Sequence, residues 1–561
     1  MGASTWVTSA VLGVGFHAAV QKFELDFVVP QTVAGLGAVW LAGLYIDVSV
    51  FQKPIAESAA SLAIAAVIFV ASLAVSTVVY RLFFHRLRKF PGPFGAKVSK
   101  FYGWYMSRNL QYHFEVEKLH KQYGDVVRTG PRELSINRIS PLSQIITCGK
   151  GNFYGMAETR IECQGLPFKM DPEDHRRGRR AWEISMTPQQ VARYNPAMQE
   201  TISLFLNRLG EPQYLGKPVN VTDWISWLGY DIMGVVGFGK DFDCLRKATD
   251  HAAIKQMHDF GFALGLLKHV PWLGNVLQRM PGGQAAMEPY ARYCRDLVRE
   301  KMKAVHNSEE KPEAPTDVLA WLIQAYEEKK PWGAQTIEAL DDDTRSLVMA
   351  GADTATATMT NFLYYLSLYP EIQQELYDAI VEHVPASALA DPATLTPEML
   401  DRVPLLEAII NETLRLQPPI PSGNPRVTPP EGLYVRDAKY GDINIPGNTI
   451  VMMPQWCIQR DERYFGRPTE FLPTRWIPGT PEAPLLIDRS AWFPFQVGTY
   501  YCVGQKLAMW ELRSVLARTM AKYKVTFAEG EDGQKFINGS GDCWTMTLPE
   551  LKLVFKERNS A

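Results

Sequence analysis

The sequence predicts a mainly α-helical protein with small β-sheets, preceded by up to three N-terminal transmembrane helices. Two observations support this fold class. Long segments of the chain place apolar residues at i, i+3 and i+4, which is the spacing of one helix face. In the first ninety residues, uncharged runs reach the length that a helix needs to cross a bilayer. The chain is therefore predicted to divide into a membrane anchor at residues 1–90 and one large domain at residues 91–561.

The anchor is predicted from three uncharged runs. Residues 58–80 are long enough to cross a hydrocarbon core of about 30 Å, and Arg81, Arg86 and further basic residues follow at once. Basic residues after a span favour the cytosol for that end. Residues 27–46 form a second run, and residues 6–20 form a shorter third one. Three spans would place the N terminus in the lumen and the large domain in the cytosol. The alternative for residues 58–80 is a buried core helix.

The large domain is predicted to begin after a proline-rich hinge. Pro91 and Pro93 in the segment KFPGPFG cannot donate backbone hydrogen bonds and resist continuing a helix. Beyond this hinge, helical periodicity is clearest in residues 341–369, 404–417 and 505–523. Strand-like segments are short, namely DVVRTG from Asp125, NTIVMMP around Ile450 and ELKLVF near the C terminus.

Charge and cysteine content argue against several classes of function. The formal net charge is −2, so the chain lacks the excess of positive charge that is typical of nucleic-acid-binding proteins. The seven cysteines are odd in number, widely spaced and without a C-x-x-C pair. This pattern argues against a disulfide framework, a structural zinc site and an iron–sulfur cluster. Six of the cysteines are predicted to be small buried residues: Cys148, Cys163, Cys244, Cys294, Cys457 and Cys543.

The seventh cysteine, Cys502, lies in the segment FQVGTYYCVG, directly before a predicted helix. Free amides and the helix dipole at that position favour a thiolate over a thiol. Gly498 and Gly504 are expected to let the backbone turn sharply and approach a large flat group. Phe495 is positioned to pack against the same group.

This segment resembles the haem-binding loop of the cytochrome P450 monooxygenases, F-x-x-G-x-R-x-C-x-G. The match holds at Phe495, Gly498, Cys502 and Gly504. It fails at Tyr500, where the family has an arginine that helps to hold a haem propionate. The resemblance implies that Cys502 is the axial thiolate ligand of haem iron.

A second motif, NETLRLQPP, places Glu412 and Arg415 three residues apart on one helix face. On its own, this spacing is equally typical of a solvated surface pair. The resemblance implies instead a buried Glu–Arg–Arg cluster, completed by Arg475 in the segment FLPTRW. Because buried charges must be fully paired, we expect the three side chains to interlock and to brace the thiolate loop.

A third motif, MAGADTATAT, combines small residues with an acid and a hydroxyl. Ala350 and Gly351 are equally consistent with tight helix packing. Thr354 can donate to the carbonyl four residues earlier, and Asp353 places an acid beside it. The motif resembles the oxygen-activation motif A-G-x-D-T of the same family, which implies that Thr354 and Asp353 deliver protons to bound oxygen.

A fourth segment, DHRRGRRAW, is rich in basic residues. It is compatible with a solvated helix face. Alternatively, His175 and Arg179 lie four residues apart and match the family's H-x-x-x-R helix, where they would meet the haem propionates. By the same resemblance, Trp182 and Arg426 are further candidates for propionate contacts.

These motifs follow the family's order along the chain, and the resemblance covers residues 91–561. It implies a membrane-anchored, microsomal cytochrome P450 of fungal type, with the cytochrome P450 fold and haem b as cofactor. The implied reaction inserts one oxygen atom of O₂ into a hydrophobic small molecule, in secondary metabolite biosynthesis. The implied location is the endoplasmic reticulum membrane, in contact with lipid and with the catalytic domain in the cytosol. NADPH-cytochrome P450 reductase is the implied electron donor, with cytochrome b5 as an additional donor.

Two other classes of function remain open from the sequence. One is a haem-thiolate isomerase or dehydratase that does not use O₂, against which the presence of Asp353 and Thr354 argues. The other is a non-catalytic haem-binding protein, which an apolar pocket would argue against. By analogy with the family, five segments are expected to line that pocket: residues 153–168, 260–276, 349–354, 418–424 and 539–544.

Overall fold

The computed structural model describes residues 3–21, 23, 25–156, 164–285, 287–307, 314–390 and 394–558. Within these residues, α-helices dominate and the sheets are small, as the sequence predicts. The helices of the N-terminal part are α1 (Ala3–Val20), α2 (Val29–Tyr45), α3 (Ile55–Val79), α4 (Phe94–Val98), α5 (Phe101–Met106), α6 (Tyr112–Tyr123), α7 (Leu142–Ile145), α8 (Pro172–Ser185), α9 (Pro188–Leu209), α10 (Val221–Met233), α11 (Cys244–Lys247) and α12 (Ala252–Leu267).

The remaining helices include the longest one, α16, which has 32 residues. They are α13 (Pro271–Arg279), α14 (Glu288–Asn307), α15 (Val318–Glu327), α16 (Ile337–Leu368), α17 (Pro370–His383), α18 (Ala386–Ala390), α19 (Pro397–Leu400), α20 (Pro404–Leu416), α21 (Gln455–Ile458), α22 (Gln505–Lys522) and α23 (Gln534–Gly539). Helices α9, α10, α16, α20 and α22 contribute to one apolar core. The three helices with the clearest periodicity are thus confirmed as α16, α20 and α22.

The strands form four small sheets in the described part of the chain. They are β1 (Val126–Gly130), β2 (Glu133–Ile136), β3 (Gly149–Lys150), β4 (Pro218–Asn220), β5 (Arg426–Val427), β6 (Leu433–Val435), β7 (Ile443–Ile445), β8 (Ile450–Met452), β9 (Tyr523–Phe527), β10 (Gly541–Cys543), β11 (Thr545–Thr547) and β12 (Lys552–Glu557). The largest sheet has the order β1-β2-β8-β5-β3, in which only β2 and β8 run parallel. The other sheets are β4-β12-β9, β6-β7 and β10-β11.

The N-terminal helices form a bundle. Extended by π-helical turns, α2 and α3 give the segments Val29–Val50 and Ile55–Phe84, which are both long and apolar enough to cross a membrane. The apolar part of α1 is shorter. The C-terminal end of α1 packs beside the C-terminal half of α3, because His17 Nδ1 lies 2.8 Å from Ser76 Oγ. The end of α1 and the end of α3 therefore lie on the same side of the bundle.

The predicted hinge is packed against the large domain. The backbone N–H of Arg128 in β1 donates to Pro91 O at 2.7 Å, and the Arg128 guanidinium donates to Arg81 O at 3.0 Å. A Cβ at Gly92 would lie 2.4 Å from Arg128 O, so only glycine fits this close approach. Leu87 is fully buried in the core beside the largest sheet. The preceding helical segment already ends at Phe84, so the two prolines do not end it. Pro93 instead directly precedes α4, and the segment around both prolines is fixed against β1.

Candidate active site

The loop that carries Cys502 is held by backbone hydrogen bonds. Cys502 N–H donates to Phe495 O at 2.7 Å, and Tyr501 N–H donates to Gly498 O at 3.2 Å. Gly498 has φ of +68°, and a Cβ there would lie 2.6 Å from Ile146 Cδ1, so glycine is required. Gly504, in contrast, has φ of −83° as the residue before α22. The expectation of a special backbone turn at Gly504 is therefore wrong, because an ordinary conformation suffices to start the helix.

The Cys502 thiol has an accessible surface, although it lies deep below the exterior of the protein. Burial raises the pKa of the Cys502 thiol, while the backbone amides of Gly504 and Gln505 and the charge of Arg179 act in the opposite direction. The helix start thus favours the thiolate as predicted, but burial outweighs it in the protein alone. A coordinated metal cation would reverse this balance, because a coordinating thiol is deprotonated.

Tyr500 is the centre of a group of basic side chains. The His175 ring lies 4.7 Å from the Tyr500 ring, and the Arg426 guanidinium lies 4.5 Å from it. Lys150 Nζ lies 5.3 Å from the same ring and donates to Pro167 O at 2.6 Å. All three basic side chains are buried. The structure therefore brings two of the predicted propionate residues to Tyr500 and adds Lys150, which sequence reasoning missed.

Lys150 owes its position to strand pairing. In the β3–β5 pair, Lys150 is the direct register partner of Arg426. Like charges at directly opposed positions destabilise a sheet unless an anion lies between or beside them. The nearby sequence CGKGN gives no sign of this pairing, because the two residues are far apart in the chain.

Arg179 and Trp182 are both buried on α8. Arg179 lies next to the cysteine loop, whereas the Trp182 side chain lies near the Asp343 carboxyl group. Arg179 Nη1 donates to Tyr501 O at 2.7 Å, and its Nε donates to Glu183 at 2.9 Å. The Arg179 guanidinium also lies 3.9 Å from the centre of the Tyr501 ring. Helix α8 therefore connects the basic group to the residue that precedes Cys502.

The electrostatic field of this group is positive. Burial and the charges of Lys150, Arg179 and Arg426 lower the pKa of His175 to about 2. Burial and the Arg426 charge likewise lower the pKa of Lys150. Three buried polar atoms also have no hydrogen-bond partner among the described residues, namely His175 Nδ1, Arg179 Nη2 and Tyr500 Oη. Buried polar atoms in this situation call for a ligand, and the two carboxylates of haem suit both the field and the donors.

The Glu–Arg–Arg cluster is fully buried. The Glu412 carboxylate accepts two hydrogen bonds from Arg415, each at 2.8 Å, and one from Arg475 at 3.1 Å. It also accepts from Trp476 Nε1 at 2.9 Å and from Leu472 N at 2.9 Å. The side chains of Glu412, Arg415 and Arg475 expose no surface. The three residues interlock as the sequence predicts.

A chain of aromatic contacts connects this cluster to the cysteine loop. Trp476, which donates to Glu412, has its ring 5.6 Å from that of Trp492. The Trp492 ring lies 6.3 Å from the Phe495 ring, and Phe495 O accepts the backbone N–H of Cys502. The ion cluster therefore supports the backbone that presents the thiol.

Asp353 and Thr354 are neighbours on α16 but have different partners. Thr354 Oγ1 donates to Ala350 O at 3.1 Å, and α16 stays α-helical through this turn. The Asp353 carboxylate accepts a hydrogen bond from Tyr230 Oη and lies 3.3 Å from His258 Nε2. Although burial opposes the charge, the hydrogen bond and charge of Asp353 raise the pKa of His258. Tyr230 and His258 were not found from the sequence, because no local motif surrounds them.

A cavity of about 60 Å³ lies among several of the predicted pocket segments. Its lining includes Phe153, Lys268, Ser422, Asp542 and Trp544. The Phe153 and Trp544 rings are 5.2 Å apart, and Asp542 accepts from Lys268 and Ser422. Residues 157–163 of the first predicted segment, with Cys163, lie outside the described residues. The other five cysteines predicted to be buried are buried.

An accessible thiol on a loop that is bound by Arg179, near buried basic donors without a protein acceptor among the described residues, is the arrangement of a haem-thiolate protein. A cytochrome P450 family model matches residues 95–555. The chain belongs to the cytochrome P450 family, whose members bind haem through a thiolate-ligated iron and use O₂, a substrate and a redox partner, generally a reductase.

Relatives from fungi extend this result. The chain is 35% identical to "Cytochrome P450 monooxygenase orf5" of Eupenicillium brefeldianum over 87% of this chain and 94% of the relative. It is 32% identical to "Cytochrome P450 monooxygenase FCK2" of Fusarium pseudograminearum over 87% of this chain and 85% of the relative. It is also 29% identical to "Tryprostatin B 6-hydroxylase" of Aspergillus fumigatus over 88% of this chain and 84% of the relative. These similarities establish a haem-dependent monooxygenase.

Proposed function

We propose that this monooxygenase hydroxylates a hydrophobic small molecule of secondary metabolism, with Cys502 as the ligand of haem iron. The observation that carries the proposal is the exposed thiol just before α22, together with three buried polar atoms that have no hydrogen-bond partner in the described part of the chain. When bound, thiolate-ligated haem supplies the activation of O₂. The name of the Aspergillus fumigatus relative, a hydroxylase, supports the reaction type. Expression with a reductase, followed by product analysis over a panel of lipophilic substrates, tests it.

In this proposal, Asp353 and Thr354 on α16 deliver the protons that the reaction consumes. The motif A-G-x-D-T assigns the Thr354 hydroxyl to proton delivery. A positioned hydroxyl group can pass on a proton that the reaction consumes. Asp353 is held by Tyr230 and by His258, whose side chain is 38% exposed. His258 therefore offers the acid a connection to bulk water.

Replacing Thr354 with alanine should leave folding and haem binding intact but waste electrons. The variant should consume NADPH while releasing more hydrogen peroxide per product formed, because proton delivery loses its positioned hydroxyl group. Peroxide and NADPH assays with a reductase measure this ratio. Thr360→Ala, which removes an equivalent bond from Thr360 Oγ1 to Thr356 O, is the control. An unchanged ratio of product to NADPH in Thr354→Ala would count against the role.

We further propose that Lys150, Arg426 and His175 hold the haem propionates. Lys150 then supplies the positive charge that other family members obtain from an arginine at the motif position of Tyr500. Lys150→Met should raise the haem dissociation rate by roughly 10- to 100-fold, because a hydrogen bond to a charged group contributes about 1.5–3 kcal/mol. Arg426→Ala should also lower haem retention, whereas Tyr500→Phe should have little effect. Haem transfer to apomyoglobin measures these rates.

A matched control separates this role from a structural one. Lys118→Met makes the same change at an exposed surface pair with Glu115 and should leave haem retention unchanged. Lys150→Met removes the repulsion from Arg426 together with the hydrogen bonds to Leu166 O and Pro167 O. Thermal unfolding of the haem-free variant therefore measures its structural effect separately from haem release. Loss of haem in Tyr500→Phe, with full retention in Lys150→Met, would reverse the assignment.

We also propose that residues 1–90 anchor the protein in the endoplasmic reticulum membrane, with the domain at residues 91–561 in the cytosol. The support comes from the two segments Val29–Val50 and Ile55–Phe84 and from the basic residues after them. A membrane-bound NADPH-cytochrome P450 reductase, with cytochrome b5 as an additional donor, would then supply electrons on the same membrane.

Alkaline carbonate extraction tests the anchor. The full-length protein should stay with the membrane fraction, whereas deletion of residues 1–79 should release much of it. The deletion ends there because Arg81 and Leu87 pack against the large domain. Full-length protein in the carbonate supernatant would refute the anchor.

A further inference from the structure

The loop between α1 and α2 contains a buried acid. Asp26 is 7% exposed, and its carboxylate accepts hydrogen bonds from Lys100 Nζ at 3.1 Å and from Asn152 Nδ2 at 3.0 Å. Its backbone carbonyl accepts from Asn275 Nδ2 at 3.1 Å. A loop that only joins two membrane helices has no need of a buried carboxylate, whose removal from water is costly unless it is well paired.

The partners of Asp26 come from three separate parts of the large domain. Lys100 lies between α4 and α5, Asn152 begins a 3₁₀ turn, and Asn275 lies on α13. The next residue of the loop, Phe27, packs on the same turn, since a Cβ at Gly155 would lie 2.5 Å from Phe27 Cε1. The loop is therefore docked on the domain by polar and apolar contacts together.

The docking site coincides with the edge of the cavity. Lys100 and Asn152 line the cavity, and so does Pro271, the first residue of the helix that carries Asn275. Phe153, next to Asn152, also lines the cavity and is in ring contact with Trp544, another lining residue. Asp26 thus joins elements that form one wall of the cavity.

The arrangement of the bundle places the docked loop on the side that leads into the large domain. The end of α1 lies beside the end of α3, which leads directly into the large domain. The C-terminal part of α2 lies beside the start of α3, because the Leu62 side chain is 3.4 Å from a Cβ built at Gly43. The α1–α2 loop and the large domain are therefore on one side of the bundle, and the connection between Val50 and Ile55 is on the other.

We propose that Asp26 clamps the α1–α2 loop onto the rim of the cavity, so that the first two helices form the lipid-facing wall of the passage by which a lipophilic ligand enters. The proposal rests on the proposed membrane anchoring. Asp26 is a positioning residue in this scheme, because it acts through the elements that it joins. The ligand class is a small lipophilic molecule dissolved in the bilayer, in contrast to a small polar ligand that arrives through water.

Ligand entry in microsomes provides the test. Clotrimazole, a lipophilic azole, and imidazole, a small polar one, both bind haem iron and shift its absorbance, so stopped-flow spectroscopy gives their association rates without turnover. Asp26→Ala should slow the association of clotrimazole several-fold and leave that of imidazole unchanged. Asp47→Asn, which alters an ion-paired acid in the π-helical turn at the opposite end of the bundle, should change neither rate. Unchanged clotrimazole entry, faster entry, or an equal change for both azoles would overturn the proposal.

A labelling experiment separates failure of the clamp from failure of the anchor. Phe23 and Phe51 are 68% and 64% exposed in the two loops of the bundle. In intact microsomes, a membrane-impermeant maleimide should modify Phe23→Cys beyond the wild-type background, but should modify Phe51→Cys only after permeabilisation. The reverse pattern would overturn both the anchor topology and the clamp. The expected pattern with unaltered clotrimazole entry in Asp26→Ala would overturn the clamp alone.

Discussion

Cys502→Ala is expected to abolish the red-shifted Soret band that reduced, carbon-monoxide-bound haem-thiolate proteins show. The band depends on sulfur coordinated to iron, and Cys502 is the one cysteine of the described chain with an exposed side chain. The substitution removes the sulfur but keeps the backbone bond from residue 502 to Phe495 O. The loop should therefore keep its conformation, and haem that is retained through the basic side chains should give an unshifted spectrum.

A second cysteine variant shows whether the effect is specific. Cys294 is fully buried in the core, so Cys294→Ala should cost about 1 kcal/mol through a small cavity but preserve the band. Difference spectra of both purified variants, normalised to haem content, give the comparison. Persistence of the shifted band in Cys502→Ala would show that another residue ligates the iron.

Local patterns predicted the parts of the site that lie on single helices. The spacing of Glu412 and Arg415 on α20 identified their shared face. The periodicity of α16 predicted its helix, and the motif A-G-x-D-T identified Thr354 within it. Boundaries were less well predicted, because side-chain caps carry no periodicity. Helix α16 begins at Ile337, four residues before the predicted start, since Thr336 Oγ1 accepts the N–H of Ala339 at 3.1 Å.

The parts of the site that depend on long-range pairing could not be predicted. Lys150 becomes a candidate ligand residue only when β3 pairs with β5, and no pattern in a two-residue strand specifies that register. Tyr230 and His258 reach Asp353 from two other helices. The departure from the family at Tyr500 was visible in the sequence. The compensation that we propose for it, by the basic side chain of Lys150 on β3, was not.

The ion cluster behind the loop is the second site where a large effect is expected. Glu412→Gln should destabilise the protein by about 3–5 kcal/mol, because it leaves the guanidinium groups of Arg415 and Arg475 buried without their counter-charge. Domains are typically stable by only about 5–15 kcal/mol, so much of the variant should be unfolded or haem-free. Thermal unfolding and haem-to-protein ratios measure both effects. Glu470→Gln, which alters an exposed pair with Arg467, is the matched control and should change little.

The pH dependence of this effect follows from the pKa of Glu412. Burial alone would raise that pKa, but the charges of Arg415 and Arg475 and the N–H of Leu472 hold it below the ordinary value. A carboxylate whose pKa is lower in the folded than in the unfolded protein stabilises the folded state at pH values above its pKa in the unfolded state. This contribution is lost as the pH falls through the pKa in the folded state. The stability gap between wild type and Glu412→Gln should therefore be widest at neutral pH and close in acid. A gap that stays constant from neutral to strongly acidic pH would mean that Glu412 contributes through shape and hydrogen bonds rather than through its charge.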